Sequence, residues 1–106
     1  MQFILTGYDG TDAGALERRM AARDAHIALS EKMFREGNML FGAALLDEAG
    51  KMRGSVMICE FPDRAAVDAW LQNEPYVVNK VWHKVDVQPC KAAPVYQAMV
   101  DKARVA

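Results

Sequence analysis

Four runs rich in strand-forming residues alternate with two helix-length stretches in the order β-α-β-β-α-β. That order predicts an α+β domain built on one antiparallel four-stranded sheet. Two further observations agree. The middle runs are separated only by Asp47-Glu48-Ala49-Gly50-Lys51, a loop short enough for a hairpin. A long helical periodicity fills the chain between the first run and the second.

Gln2 to Tyr8 carries Phe, Ile, Leu, Thr and Tyr and ends in Asp9-Gly10, a strand running into a turn. Thr11 or Asp12 is expected to cap the helix that follows, since a side-chain oxygen there accepts from the first free amides. The helical pattern runs to Glu36, and Gly37-Asn38 supplies a left-handed stop. Leu16, Met20, Ile27 and Phe34 fall within about 40° of one another at ~100° per residue, giving an apolar stripe. Arg19, Arg23, His26 and Ser30 form a second row beside it, at i, i+4, i+7 and i+11. Charged and polar groups along a core edge are costly unless they meet partners or a ligand, so this row is read as a pocket wall. The pattern also permits a break near Ala22, with Asp24 opening a fresh helix and Arg19 lost from the row.

Asn38 to Leu46 reads as the second strand, with a bulge or close approach at Gly42. Gly50 is free to take positive φ in the hairpin loop, and the third strand runs from Arg53 to Phe61. Pro62-Asp63 begins the second helix, whose buried face is Ala66, Val67, Trp70 and Leu71. Asn73-Glu74-Pro75 ends it, because the residue before proline avoids the helical region. Val81 to Val87 alternates as the fourth strand, closed by Pro89. Residues 93–106 form a helical tail with Val95, Met99 and Ala103 on one side.

This is the ferredoxin-like arrangement, with both helices on one sheet face. The third strand is apolar on both sides (Val56 and Ile58; Met57, Cys59 and Phe61), so the face without helices calls for a second subunit. Hydrophobic residues make up 52% of the chain, which supports a homodimer. The formal net charge of −1 offers no basic field to nucleic acid or to an anionic membrane. No run reaches the roughly 18 apolar residues of a membrane span. The start lacks the basic region and cleavage site of a signal peptide, so a cytoplasmic protein with Cys59 and Cys90 reduced is expected.

Arg23-Asp24-Ala25-His26, Gly37, Gly54-Ser55-Val56, Glu74-Pro75-Tyr76-Val77 and Val85-Asp86-Val87-Gln88-Pro89 together resemble the YciI-like (YCII-related) family. The resemblance implies one domain over 1–92, with 93–106 as a tail of that domain beyond the family pattern. It implies a dimeric α+β barrel similar in fold to muconolactone isomerases, some members resembling chloromuconolactone dehalogenases. It also implies a histidine–acid dyad. The histidine falls on His26, and the acid falls on Glu74, where the family carries an aspartate one methylene shorter. The family's proline after the Arg23 position is Asp24 in this chain.

Histidine's ordinary pKa of about 6.5 suits an imidazole that takes a proton and returns it. Glu74 would orient the His26 ring; Arg23 or Arg19 would hold a carboxylate or stabilise an enolate; Ser30, Ser55 and Tyr76 would add hydrogen bonds or a rim contact. That set fits proton transfer beside a carbonyl on a small anionic metabolite, as in a lactone isomerase or a dehalogenase. Two other readings compete: a non-catalytic module that binds a small anion, and a dimerisation domain whose polar row is a buried network with Arg23 paired to Glu74 or Asp24. Trp70 and Trp82 read as core and interface. The histidines and cysteines lack zinc-ligand spacing, and no Gly-rich phosphate loop is present, so neither metal nor cofactor is expected.

Overall fold

The computed structural model describes residues 1–105; Ala106, the last residue of the expected tail, lies outside them. Its elements are β1 (Gln2–Asp9), α1 (Ala15–Glu36), β2 (Met39–Leu46), β3 (Met52–Glu60), α2 (Arg64–Leu71), α3 (Pro75–Val78), β4 (Trp82–Cys90) and α4 (Pro94–Arg104). The strands make one antiparallel sheet in the order β2-β3-β1-β4, the ferredoxin-like topology. Pro89 does not close the last strand. It pairs opposite Phe3 and is tolerated because β4 lies at the sheet edge.

Register and burial divide the sheet into two faces. Phe3 and Leu5 of β1 are buried with Met57 and Cys59 of β3, and Val67, Trp70 and Tyr76 from α2 and α3 join their core. On the other face Ile4, Thr6, Tyr8, Val56 and Ile58 are half-buried, while Phe41 and Ala43 of the edge strand β2 are exposed. Gly7 sits under Trp82, where a Cβ would come within 2.4 Å of the indole ring; this is why β1 carries a glycine there. The register of β2 shifts between Met39 and Phe41, where the extra residue Leu40 is buried, and between Leu45 and Leu46, rather than at Gly42.

Helix α1 decides between two alternatives and corrects two expectations. It is continuous across Ala22, so Arg19 stays in the polar row. Neither Thr11 nor Asp12 caps it. Gly14 is the N-cap without a side-chain bond, and the Asp12 carboxylate is drawn instead to Arg18 at 2.6 and 2.8 Å. The helix is also rotated from the expected face. Ala15, Arg19, Ala22 and Met33 are buried, whereas Leu16, Met20 and Ile27 are exposed and only Phe34 of the stripe packs on the core. Small alanines let α1 approach the sheet closely, and Arg19 finds buried partners there, so the polar row goes inward. The C-terminus follows the expected form. Gly37 has φ 91°, and Gly37 and Asn38 donate to Phe34 and Met33 carbonyls in a Schellman arrangement.

The segment after α2 forms an additional short helix. Glu74 is its N-cap and accepts from the Tyr76 amide at 3.3 Å, with Pro75 at the first position. Glu74 is therefore buried and begins a helix, in addition to following the end of α2. Across the end of the sheet, α4 is tied down by Gln2, which donates to Gln97 at 2.7 Å and accepts from the Ala92 amide at 2.7 Å. Arg104 donates to the carbonyls of Phe34 and Met39. Val95, Tyr96 and Met99 of α4 remain exposed.

Candidate functional site

The middle of α1, the C-terminal half of β2, the start of β3 and α3 enclose a hollow of about 270 Å³. Arg19, Arg23, His26 and Ser30 line it from α1, as the row predicts, and Ser55 and Tyr76 join them. Gly42, Ala43, Ala44 and Met57 form the opposing side. The small β2 residues leave this volume open beside the helix.

His26 Nδ1 is hydrogen-bonded to Glu74 Oε1. The same oxygen accepts the Tyr76 amide; a Glu74 carboxylate can only accept, so toward it Nδ1 is the donor, and Nε2 is the ring nitrogen not engaged by Glu74. The imidazole stacks on Tyr76 with centroids 3.9 Å apart and planes 12° apart, and Trp82 meets it edge-on at 6.0 Å. Glu74 does not line the hollow. It stands behind the imidazole, hydrogen-bonded to Nδ1. Burial holds the Tyr76 phenol above its ordinary pKa, opposed by Arg19 and Arg23, so it remains a protonated donor.

Arg19 is anchored beside this pair. Its Nη1 meets both oxygens of Asp9 at 3.0 and 3.2 Å, its Nη2 donates to Ser55 Oγ at 2.8 Å, and its guanidinium carbon lies 4.7 Å from the Tyr76 ring centroid. Arg19 and Asp9 side chains are each only 3% exposed, so the charges depend on one another. Burial pushes the Asp9 carboxyl above its ordinary value, with Arg19 pulling the other way. Ser55 Oγ also accepts from Trp82 Nε1 at 3.3 Å. With two donors on its oxygen, the hydroxyl's own proton is available for a third partner. Among the described residues Arg19 Nε is buried without a hydrogen-bond partner.

Arg23 pairs with neither Glu74 nor Asp24. Among the described residues it makes no ion pair, and it lines the hollow as a free cation. Asp9 is the residue that sequence reasoning missed, since it reads as part of a turn; Trp82, read as core and interface, lies in the core and in addition meets the imidazole edge-on. The signal for Asp9 was present in the row itself, because a buried arginine requires an acid, and Asp9 ends the strand beside Ser55. Cys59 and Cys90 are both free. Among the described residues, no three His, Cys, Asp or Glu side chains converge as metal ligands, and no helix is long and apolar enough to cross a membrane.

The sequence pattern of the YCII-related domain matches residues 1–91, through the hollow and up to α4. The chain belongs to the YCII-related domain family. Protein YciI of Escherichia coli is 32% identical over 97 residues, covering 86% of this chain and 97% of that protein. Among solved structures, this YCII-related domain resembles a 5-chloro-2-hydroxyhydroquinone dehydrochlorinase from Burkholderia phenoliruptrix. The TM-score is 0.74 at 22% identity, over 88% of this chain and 96% of the other. It also resembles a dimeric ferredoxin-like protein from an uncultured marine organism, with a TM-score of 0.52 at 17% identity over 87% and 94% of the two chains. At these identities the structural likenesses establish the fold.

Proposed function

We propose that this YCII-related protein is a small, cofactor-independent enzyme of the lyase or isomerase kind, acting in the cytoplasm as a homodimer on an anionic small molecule. The observation that carries the reading is the hydrogen bond between His26 and the buried Glu74, at the wall of a hollow that Arg19, Arg23 and Ser55 also line.

In the proposed reaction, His26 Nε2 removes a proton from a carbon beside the substrate carbonyl. The C–H electron pair moves into the enolate, and Glu74 stabilises the imidazolium that forms. Arg19 and Ser55 stabilise the enolate oxygen, while Arg23 holds the substrate's anionic group. The enolate then either expels a neighbouring chloride with its bonding pair, a net loss of HCl, or takes the proton back at another carbon. Elimination of this kind is the reaction type in the name of the structurally similar dehydrochlorinase. The dimer reading is supported by the half-bare apolar sheet face and by the dimeric neighbour of the same fold.

A second reading has its own support. Arg23 makes no ion pair among the described residues and Ser55 has a proton to donate, which suits a module that binds an anion without breaking a bond. A thermal-shift screen of small carboxylates and lactones, followed by product analysis on each hit, separates the two. For a turned-over hit, His26→Ala lowers kcat by about 10²- to 10⁴-fold with binding retained, and Glu74→Asp keeps much more activity than Glu74→Gln. Unchanged turnover in His26→Ala would remove the imidazole from the mechanism.

A further inference from the structure

The hollow beside His26 continues along the groove between α1 and β2. A second hollow of about 320 Å³ shares Ser30, Glu31 and Gly42 with the first. Beyond those shared residues its wall is apolar, supplied by Phe34 of α1 and by Met39, Leu40 and Phe41 of β2. One groove therefore has a cationic, hydrogen-bonding end at Arg19, Arg23 and Ser55 and a greasy end at Phe34.

Gly42 stands at the junction. It does not have positive φ, and a Cβ built on it would meet nothing closer than Met57 Cγ at 3.9 Å. Neither backbone conformation nor crowding requires glycine there, and glycine weakens a strand. What the missing side chain preserves is the passage between the two hollows. Glu31, at the same junction, places a carboxylate where a second negative charge on a ligand would pass.

We infer that the ligand is a monoanion with an apolar substituent, its charged head at Arg23 and its hydrocarbon part lying past Gly42 against Phe34, Met39 and Leu40. This rests on the reading of the first hollow as an anion site and adds the chemical class of what enters it.

The test is NMR titration of the isotope-labelled wild-type protein with acetate, butanoate, hexanoate and adipate. A buried methylene contributes roughly fourfold in affinity, so hexanoate is expected to bind at least about tenfold tighter than acetate. Adipate, of the same length but with a second carboxylate, is expected to bind more weakly than hexanoate. In Gly42→Val the hexanoate-to-acetate affinity ratio falls toward one. Equal affinities for acetate and hexanoate, adipate binding as tightly as hexanoate, or an unaltered ratio in a folded Gly42→Val would each overturn the inference while leaving the anion site standing. Should Gly42→Val not fold, the wild-type series with adipate decides. If no carboxylate shifts resonances around Arg23 and Ser55, the anion site itself is refuted.

Discussion

Ser55 shows how much a single hydroxyl can organise. Its oxygen accepts from Arg19 and from Trp82, two donors that have no water to turn to at that depth. Ser55→Ala leaves both unsatisfied and is expected to lower the unfolding free energy in urea by about 1–3 kcal/mol. It also frees Arg19 to shift away from the hollow. Cys59 gives a pH test at the same scale. Burial pushes its thiol up from 9.0 to about 12, and burial raises Cys90 as well. A folded-state pKa above the unfolded one contributes stability in full below the unfolded value and loses it as pH rises through the folded value. Urea midpoints are therefore expected to fall between pH 9 and about 12 as this contribution is lost. At pH 8 a thiol reagent is expected to modify native Cys90 while Cys59, fully buried, reacts only after unfolding.

At the scale of elements, α1 and α3 set the site. α1 turns its polar row inward because Arg19 meets Asp9 and Ser55, and because alanines flank it on the buried side. The short α3 brings Glu74 and Tyr76 to the imidazole, and its exit passes through a left-handed residue. Lys80 has φ 58°, with its amide donating to Val77 and the Val81 amide to Tyr76. That left-handed position suits glycine, so Lys80→Gly is expected to raise stability by about 0.5–1 kcal/mol, measured by thermal or urea unfolding. A loss of stability instead would show that the Lys80 side chain supplies more than its backbone strain costs.

At the scale of the whole molecule, the unexplained surface is apolar. The sheet face without α1 and α2 presents Ile4, Val56 and Ile58 half-buried and Phe41 exposed, and α4 leaves Val95, Tyr96 and Met99 in water. A second copy packed on the sheet face would cover Ile4, Val56, Ile58 and Phe41, with the Lys84–Asp86 pair of β4 on the same face. Light scattering at micromolar concentration is expected to return twice the chain mass. A monomer at that concentration would contradict the dimer.

Strand alternation, turn glycines and the Glu74-Pro75 boundary were enough to give the sheet topology and the order of every element but α3, because these follow from local periodicity and backbone preference. The polar row on α1 was equally legible, since helical spacing alone aligns Arg19, Arg23, His26 and Ser30. Which side of α1 faces the core was not legible. The apolar stripe of Leu16, Met20 and Ile27 looked like the packed face, yet the gain from pairing Arg19 with Asp9 lies in a contact between residues distant in the chain. The same holds for the α3 cap at Glu74, the Ser55 junction and the continuation of the groove past Gly42. Periodicity reports what one element prefers; tertiary structure decides which buried charges find each other and where small residues leave space.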